Sequence, residues 1–153
     1  MLILLSETDT AALGAALALQ ARKGDIIALH GPLGAGKTTL ARSFIRAFTG
    51  SDEEVVSPTF TLVQVYEAAA AHIWHFDLYR LDNPDDALEL GFEEALAAGI
   101  SLIEWPERLG ALLPKKRLDV TLSSVGDARH AQLSGDSAWA ERIAAVSKHV
   151  GGT

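Results

Sequence analysis

The chain has 153 residues, of which 48% are hydrophobic, and its formal net charge is -7. The negative charge argues against strong direct binding of DNA or RNA, because nucleic-acid affinity rests largely on Lys and Arg side chains that neutralise phosphates. The lack of cysteine excludes disulfides and cysteine zinc sites, and no apolar run reaches the ~18 residues that a membrane span needs. We therefore expect one cytoplasmic domain over residues 1–150, without membrane contact, and a frayed tail at residues 151–153.

Strand-like and helix-like segments alternate along the chain. Short apolar runs predict strands over Met1–Leu5, Asp25–His30, Thr61–Glu67, His72–Asp77, Ile100–Glu104, Leu118–Ser123 and Ala131–Ser134. Helical patterns cover Thr10–Arg22, Lys37–Thr49, a segment that begins after Asn83, and Trp139–His149. This alternation predicts an α/β fold with a central, mostly parallel sheet and helices on both faces.

Capping signals support several of these helices. Ser6 and Asp9 resemble a capping box ahead of the first helix. Asn83 is placed to cap a helix whose first residue is Pro84, and Gly50 stands where a helix C-cap belongs.

A glycine-rich segment after the second predicted strand carries the strongest functional signal. Residues Gly31–Thr38, GPLGAGKT, match the phosphate-binding pattern G-x-x-x-x-G-K-[ST] in full. In this pattern main-chain N–H groups cradle phosphates, the lysine reaches the β- and γ-phosphates, and the hydroxyl binds Mg²⁺. We predict ATP with Mg²⁺ as the ligand. The expected contacts are Leu33, Gly34, Ala35, Gly36, Lys37, Thr38 and Thr39.

Two acidic residues that end apolar strands are candidates for holding Mg²⁺ and for orienting the attacking water. Asp77 ends one strand, and Glu104 ends the more continuous one. We assign Glu104 to the metal, together with Thr38, and Asp77 to hydrolysis, although the sequence alone does not separate these roles. Lys37, Asp77 and Glu104 are the predicted catalytic residues.

Other polar residues allow more than one interpretation. Ser57 and Thr59 lie in a segment that either senses the γ-phosphate as a switch or forms an ordinary turn. His75 alternates with core positions and is interpreted as a satisfied structural histidine. Trp105 fits either the core or a partner surface.

Four segments in this order, Gly31–Leu40, Ser57–Val63, His75–Leu81 and Ile103–Glu107, resemble the bacterial TsaE (YjeE) family. The resemblance implies a weak, Mg²⁺-dependent ATPase that supports threonylcarbamoylation of tRNA adenosine 37. It also implies that TsaD and TsaB are the partners and that tRNA is contacted only through their complex.

The resemblance further implies that the segments Glu7–Thr10 and Gly126–Arg129 flank the nucleotide base. Glu7, Thr10 and Arg129 are therefore expected ATP contacts.

Two alternatives stay open. A small-molecule P-loop kinase has similar size, but it needs an arginine-rich lid, and the arginines here are scattered along the chain. The second alternative is a module that binds nucleotide and scarcely hydrolyses it. A GTPase is disfavoured because the chain lacks an Asn-Lys-x-Asp segment.

Overall fold

The computed structural model describes residues 2–50, 54–58 and 61–150. Seven strands form one sheet: β1 (Leu2–Leu4), β2 (Ile26–His30), β3 (Val63–Tyr66), β4 (Ile73–Asp77), β5 (Ile100–Glu104), β6 (Leu118–Val125) and β7 (Ala128–Ser134). Four α-helices accompany them: α1 (Glu7–Gln20), α2 (Lys37–Thr49), α3 (Phe92–Ala98) and α4 (Ala140–Val150). Three 3₁₀ segments complete the order, at Pro84–Leu90, Pro106–Leu112 and Ser137–Trp139.

The strand order is β1-β7-β6-β2-β5-β4-β3. The four central strands, β6, β2, β5 and β4, run parallel, whereas β1, β7 and β3 join the sheet antiparallel. The sequence explains the division. Every residue of β5 is buried, as expected of a central parallel strand, whereas β6 alternates buried and exposed positions where it meets the antiparallel β7.

The core has one layer on each face of the sheet. Helix α1 packs against both α2 and α4 on one face, where Leu40 and Phe44 of α2 are fully buried. On the other face, Phe92 of α3 and Leu109 join the strand residues Phe76 and Ile103. The predicted α/β fold with helices on both faces is thus confirmed, with parallel pairing concentrated in the middle of the sheet.

Some predicted boundaries were wrong. Helix α1 spans Glu7–Gln20 rather than Thr10–Arg22, because the Ser6 hydroxyl accepts the N–H of Asp9 and so begins the helix directly after Ser6. The segment after Asn83 is a 3₁₀ helix, and Gly91 ends it in a left-handed conformation with φ of 86°. The last helix starts at Ala140, after the short 3₁₀ turn.

Within the described part of the chain, none of the helices is both long enough and apolar enough to cross a membrane. The predicted frayed tail at residues 151–153 lies outside the described residues.

Candidate functional site

The glycine-rich loop joins the end of β2 to the start of α2. Three of its glycines have left-handed backbone angles: φ is 143° at Gly31, 80° at Gly34 and 104° at Gly36. At Gly31 a Cβ atom would also lie 2.5 Å from the carbonyl oxygen of Leu122, so a side chain is excluded there by contact as well as by conformation.

The N-terminus of α2 faces this loop with a positive dipole end. Its N-cap is Gly36, which has no side chain to satisfy the free N–H groups of the first turn. Such a helix end favours an anion. The helix itself is held firmly, because Leu40 and Phe44 anchor it in the core.

Lys37, the first residue of α2, is almost fully buried, with 5% of its surface exposed. Its Nζ donates to the Gly31 carbonyl oxygen at 2.5 Å and lies 3.5 Å from the centroid of the Trp105 ring. Burial lowers the pKa of Lys37 below its ordinary value of 10.5, and the nearby carboxylates of Glu104, Glu107 and Asp77 partly oppose that shift. The lysine charge is therefore held in a poorly solvated position beside acidic groups.

Asp77 and Glu104 meet at the carboxyl ends of β4 and β5, where the register pairs them directly. Both are buried, with 6% and 3% of their surfaces exposed. The Thr38 hydroxyl donates to Glu104 Oε1 at 3.1 Å, which joins the first turn of α2 to the end of β5. Ligands of α/β proteins characteristically bind at this edge of a parallel sheet.

These oxygen atoms suit Mg²⁺. Among the described residues no group of three or more His, Cys, Asp or Glu side chains is arranged to hold a metal ion alone. A Mg²⁺ site does not need such a group, because Mg²⁺ is usually held by one or two carboxylates together with phosphate oxygens and water. The Thr38 hydroxyl and the Glu104 carboxylate are the residues that would hold such an ion, with the Asp77 carboxylate beside them.

A cleft of about 500 Å³ opens over these groups. It is lined by Leu4, Ser6, Glu7, Thr10, Leu33, Gly34, Gly36, Lys37, Thr38, Thr39, Asp77, Tyr79, Glu104, Trp105, Asp127 and Arg129. The volume falls within the range of small-molecule pockets.

The cleft brings together most of the residues that were predicted to form the site. The residues expected to flank the base, Glu7, Thr10 and Arg129, line it, and the Arg129 guanidinium donates to the Gly34 carbonyl oxygen at 3.3 Å. Ala35 does not line the cleft, because its side chain is buried and its N–H donates to the Pro32 carbonyl oxygen. Ser57 is exposed outside the cleft lining, and Thr59 lies outside the described residues.

Sequence reasoning did not identify Tyr79 as a site residue and left Trp105 undecided. Both line the cleft, and their ring centroids are 4.9 Å apart. Trp105 has a left-handed backbone, with φ of 59°, which turns the chain sharply after Glu104. The Pro106 that follows was the one local signal of this turn.

The interpretation of His75 as a satisfied structural histidine holds in part, because the ring is fully buried but only one of its two nitrogens has a hydrogen-bond partner in the described part of the chain. One ring nitrogen, Nε2, lies 2.7 Å from Glu104 Oε2, whereas the other, Nδ1, is buried with no hydrogen-bond partner among the described residues. Glu104 is therefore contacted from two sides, by Thr38 and by His75.

Comparisons with known proteins identify the family. A family model described as "Threonylcarbamoyl adenosine biosynthesis protein TsaE" matches residues 4–131. A tRNA threonylcarbamoyladenosine biosynthesis protein TsaE from Rickettsia felis is 45% identical over 122 residues, which cover 80% of this chain and 71% of the relative. The protein of the same name from Bacillus subtilis is 35% identical over 120 residues, which cover 78% of this chain and 74% of the relative.

A solved structure is also similar. The crystal structure of Bacillus subtilis YdiB superposes with a TM-score of 0.77 and 26% identity, covering 96% of this chain and 93% of that one. The family match spans the glycine-rich loop, both paired carboxylates and the cleft, and the chain therefore belongs to the TsaE family.

Proposed function

We propose that this chain is a weak, Mg²⁺-dependent ATPase of the cytoplasm. In this proposal it binds ATP in the cleft and acts with TsaD and TsaB in the threonylcarbamoylation of tRNA adenosine 37. The single observation that supports it most is the 3.1 Å contact between the Thr38 hydroxyl and Glu104, made at the dipole end of α2 beside the buried Lys37. This arrangement offers an anion site and a hard-cation site next to each other.

The parts of the cleft divide between binding and hydrolysis. The first-turn N–H groups of α2 and the Lys37 ammonium are expected to hold the phosphates, with Lys37 leaving its contact to Gly31 to do so. Thr38 and Glu104 would hold the metal, which would neutralise the negative charge that develops during hydrolysis. Asp77, beside Glu104, orients the attacking water.

We expect the nucleoside to bind beside Glu7 and Thr10 of α1 and Arg129 of β7, all of which line the cleft. Arg129 also donates to the Gly34 carbonyl oxygen. A base bound beside Arg129 would therefore contact a side chain that is hydrogen-bonded to the glycine-rich loop.

The kinase alternative gains little support from the cleft. Among the described residues that line it, Arg129 is the single arginine, and it is already hydrogen-bonded to the loop. A kinase lid needs several arginines around the transferred phosphate. The partner-dependent ATPase is therefore the better account.

The proposal is tested by measuring ATP, ADP and GTP binding by calorimetry and ADP formation with and without TsaD–TsaB. We expect Mg²⁺-dependent ATP binding, slow turnover alone, and co-purification with TsaD–TsaB that depends on the nucleotide. The Lys148→Ala variant, which removes an exposed lysine on α4, is the control and is expected to behave as wild type. Absence of ATP binding would contradict the proposal, and strong stimulation by a small acceptor would favour the kinase.

A further inference from the structure

His75 is the one histidine that the structure places inside the core beside the paired carboxylates. It lies on β4 with none of its surface exposed, and its register partner on β5 is Leu102. Its side chain shares a sheet face with Asp77 two residues later, and it reaches diagonally to Glu104.

The two carboxylate oxygens of Glu104 have different hydrogen-bond partners, and one of these partners is the Nε2 atom of His75. Glu104 Oε1 accepts from the Thr38 hydroxyl, and Oε2 lies 2.7 Å from His75 Nε2. In the tautomer that makes this contact a hydrogen bond to the carboxylate, Nε2 donates and the carboxylate oxygen accepts. Because Nδ1 is buried and has no partner among the described residues, a second proton there would lack an acceptor.

Packing alone does not account for an imidazole at this position. A leucine of similar size would fill the space between the neighbouring apolar residues without leaving a buried nitrogen unpaired. The unpaired nitrogen is the one turned away from Glu104, whereas the nitrogen turned toward Glu104 makes a short contact. The polar contact of His75 is therefore the one with the Glu104 carboxylate.

The second histidine–carboxylate pair differs in its surroundings. His30 lies 2.7 Å from Asp119, but both side chains are about a quarter exposed, and Asp119 also accepts from Arg117. That carboxylate would keep a partner without its histidine. Glu104 Oε2 has no contact in the described residues comparable to the one from His75.

We propose that His75 is a positioning residue that fixes Glu104 in the orientation in which Oε1 accepts the Thr38 hydroxyl, beside which Mg²⁺ would be held. The inference rests on the proposed function, because it assigns Glu104 and Thr38 to Mg²⁺. His75 itself touches neither nucleotide nor metal. It holds one carboxylate oxygen so that the other is presented to the first turn of α2, much as second-layer partners orient metal-binding side chains in other sites.

Loss of the contact between His75 and Glu104 should weaken Mg²⁺ binding while leaving nucleotide binding without metal unchanged. The phosphates are held by the loop amides and Lys37, which His75 does not contact, so nucleotide binding without metal should be preserved. The extra affinity that Mg²⁺ gives depends on Glu104, and it should fall. Partners of this kind typically contribute about 10- to 100-fold to metal affinity.

The experiment compares His75→Leu, which removes the donor, with His75→Gln, which keeps an amide N–H donor, and with the control Ser101→Ala. Ser101 is buried on the same strand as Glu104 and its hydroxyl has no partner among the described residues, so the control perturbs the same strand without touching the carboxylate. The dissociation constant of ATP is measured by calorimetry in Mg²⁺ and in EDTA for each protein.

For His75→Leu we expect the ratio of the EDTA to the Mg²⁺ dissociation constant to fall about 10-fold or more, with the EDTA value within about twofold of wild type. His75→Gln should recover most of the ratio, and Ser101→Ala should match wild type. An unchanged ratio in His75→Leu, an equal loss in EDTA and Mg²⁺, or no recovery by His75→Gln would each overturn the proposal.

A second measurement uses the wild-type protein without nucleotide, so its outcome does not depend on whether a variant folds. Nitrogen NMR of the imidazole rings in the wild-type protein without ligand should show a proton on Nε2 of His75, where it faces Glu104. An Nε2 without a proton would overturn the inference. If wild type fails to bind ATP, the proposed function fails, and this measurement still tests the contact between His75 and Glu104.

Discussion

Asp77 and Glu104 lie directly opposite each other at the ends of two hydrogen-bonded parallel strands, and both carboxylates are buried on the same sheet face. Like charges at directly opposed positions repel, so this pairing is unfavourable unless a cation lies near it. Lys37 supplies one positive charge to both acids. A bound Mg²⁺ ion would add two further positive charges. The repulsion between the Asp77 and Glu104 carboxylates would therefore be smaller in the bound state than in the free state.

The first prediction separates the two acids. Asp77→Asn keeps the side-chain shape and an oxygen that can accept the Tyr79 N–H, but it removes the charge. If Asp77 orients the attacking water, the rate of ADP formation in the presence of TsaD–TsaB should fall by about 100-fold or more, while ATP affinity stays within a few-fold of wild type. Steady-state hydrolysis and calorimetry measure the two quantities. Hydrolysis at the wild-type rate would remove Asp77 from the mechanism.

The second prediction concerns Lys37 as a phosphate contact. Lys37→Ala removes a nearly buried charge at the start of α2, and we expect ATP affinity to fall by about 2–4 kcal/mol, which is roughly 30- to 1,000-fold. The fold should be retained, because the core contacts of α2 come from Leu40 and Phe44. Calorimetric ATP binding close to wild type would contradict the role, and circular dichroism provides the check on folding.

The sequence predicted the local features of this site well and the long-range ones less well. The helix at Lys37–Thr49 and the strand at Ile100–Glu104 have the predicted bounds, because caps, glycines and apolar runs act over a few residues. The diagonal contact between His75 and Glu104 depends on how β4 and β5 align, which no short pattern specifies. The left-handed turn at Trp105 likewise depends on packing against Lys37 and Tyr79.

The third prediction follows from the lowered pKa of Lys37. A native pKa below 10.5 means that the charged form of Lys37 destabilises the native state, and this cost is fully present below the native pKa. As pH rises from the native pKa toward 10.5, the unfolded chain binds more protons than the native one, so the cost diminishes and the stability of the wild type rises. Lys37→Met should therefore be more stable than wild type at neutral pH, and its advantage should shrink between the native pKa and 10.5.

Urea denaturation of both proteins without nucleotide, from pH 7 upward, measures this difference. Lys148→Met serves as the exposed-lysine control and should show no pH-dependent advantage. A Lys37→Met advantage that grows with pH would contradict the direction of the shift.

The fourth prediction compares two residues of the glycine-rich loop, Gly31 and Gly34. Gly31→Ala combines a left-handed backbone with a Cβ only 2.5 Å from the Leu122 carbonyl oxygen, whereas Gly34→Ala has the left-handed backbone but no atom within 4 Å of the new Cβ. We expect Gly34→Ala to lower the free energy of unfolding by about 1–2 kcal/mol. Gly31→Ala should lower it by about 2–5 kcal/mol and should also weaken ATP binding, because β6 and the loop must move apart. Equal losses in urea denaturation would show that the Leu122 contact is not limiting.

The fifth prediction concerns the ion pair between Arg142 of α4 and Asp25, the residue before β2. Arg142 donates to both carboxylate oxygens of Asp25, at 2.6 Å and 3.0 Å, and also to the Gln20 carbonyl oxygen, while its guanidinium lies 3.5 Å from the centroid of the Trp139 ring. Both charged side chains are only 10% exposed, so removing one leaves the other buried without its counter-charge. We expect Arg142→Met to lower the free energy of unfolding by about 3–5 kcal/mol.

The double variant Arg142→Met, Asp25→Asn tests whether the loss of stability comes from leaving the Asp25 carboxylate buried without a counter-charge. The amide that replaces the Asp25 carboxylate is neutral, so the double variant should be more stable than Arg142→Met alone, and the recovery should be seen as a higher urea midpoint at unchanged slope. ATP affinity should stay at the wild-type value in both proteins, because the pair lies outside the cleft lining. A double variant no more stable than Arg142→Met would assign the stabilisation to the Trp139 and Gln20 contacts instead of to the charge pair.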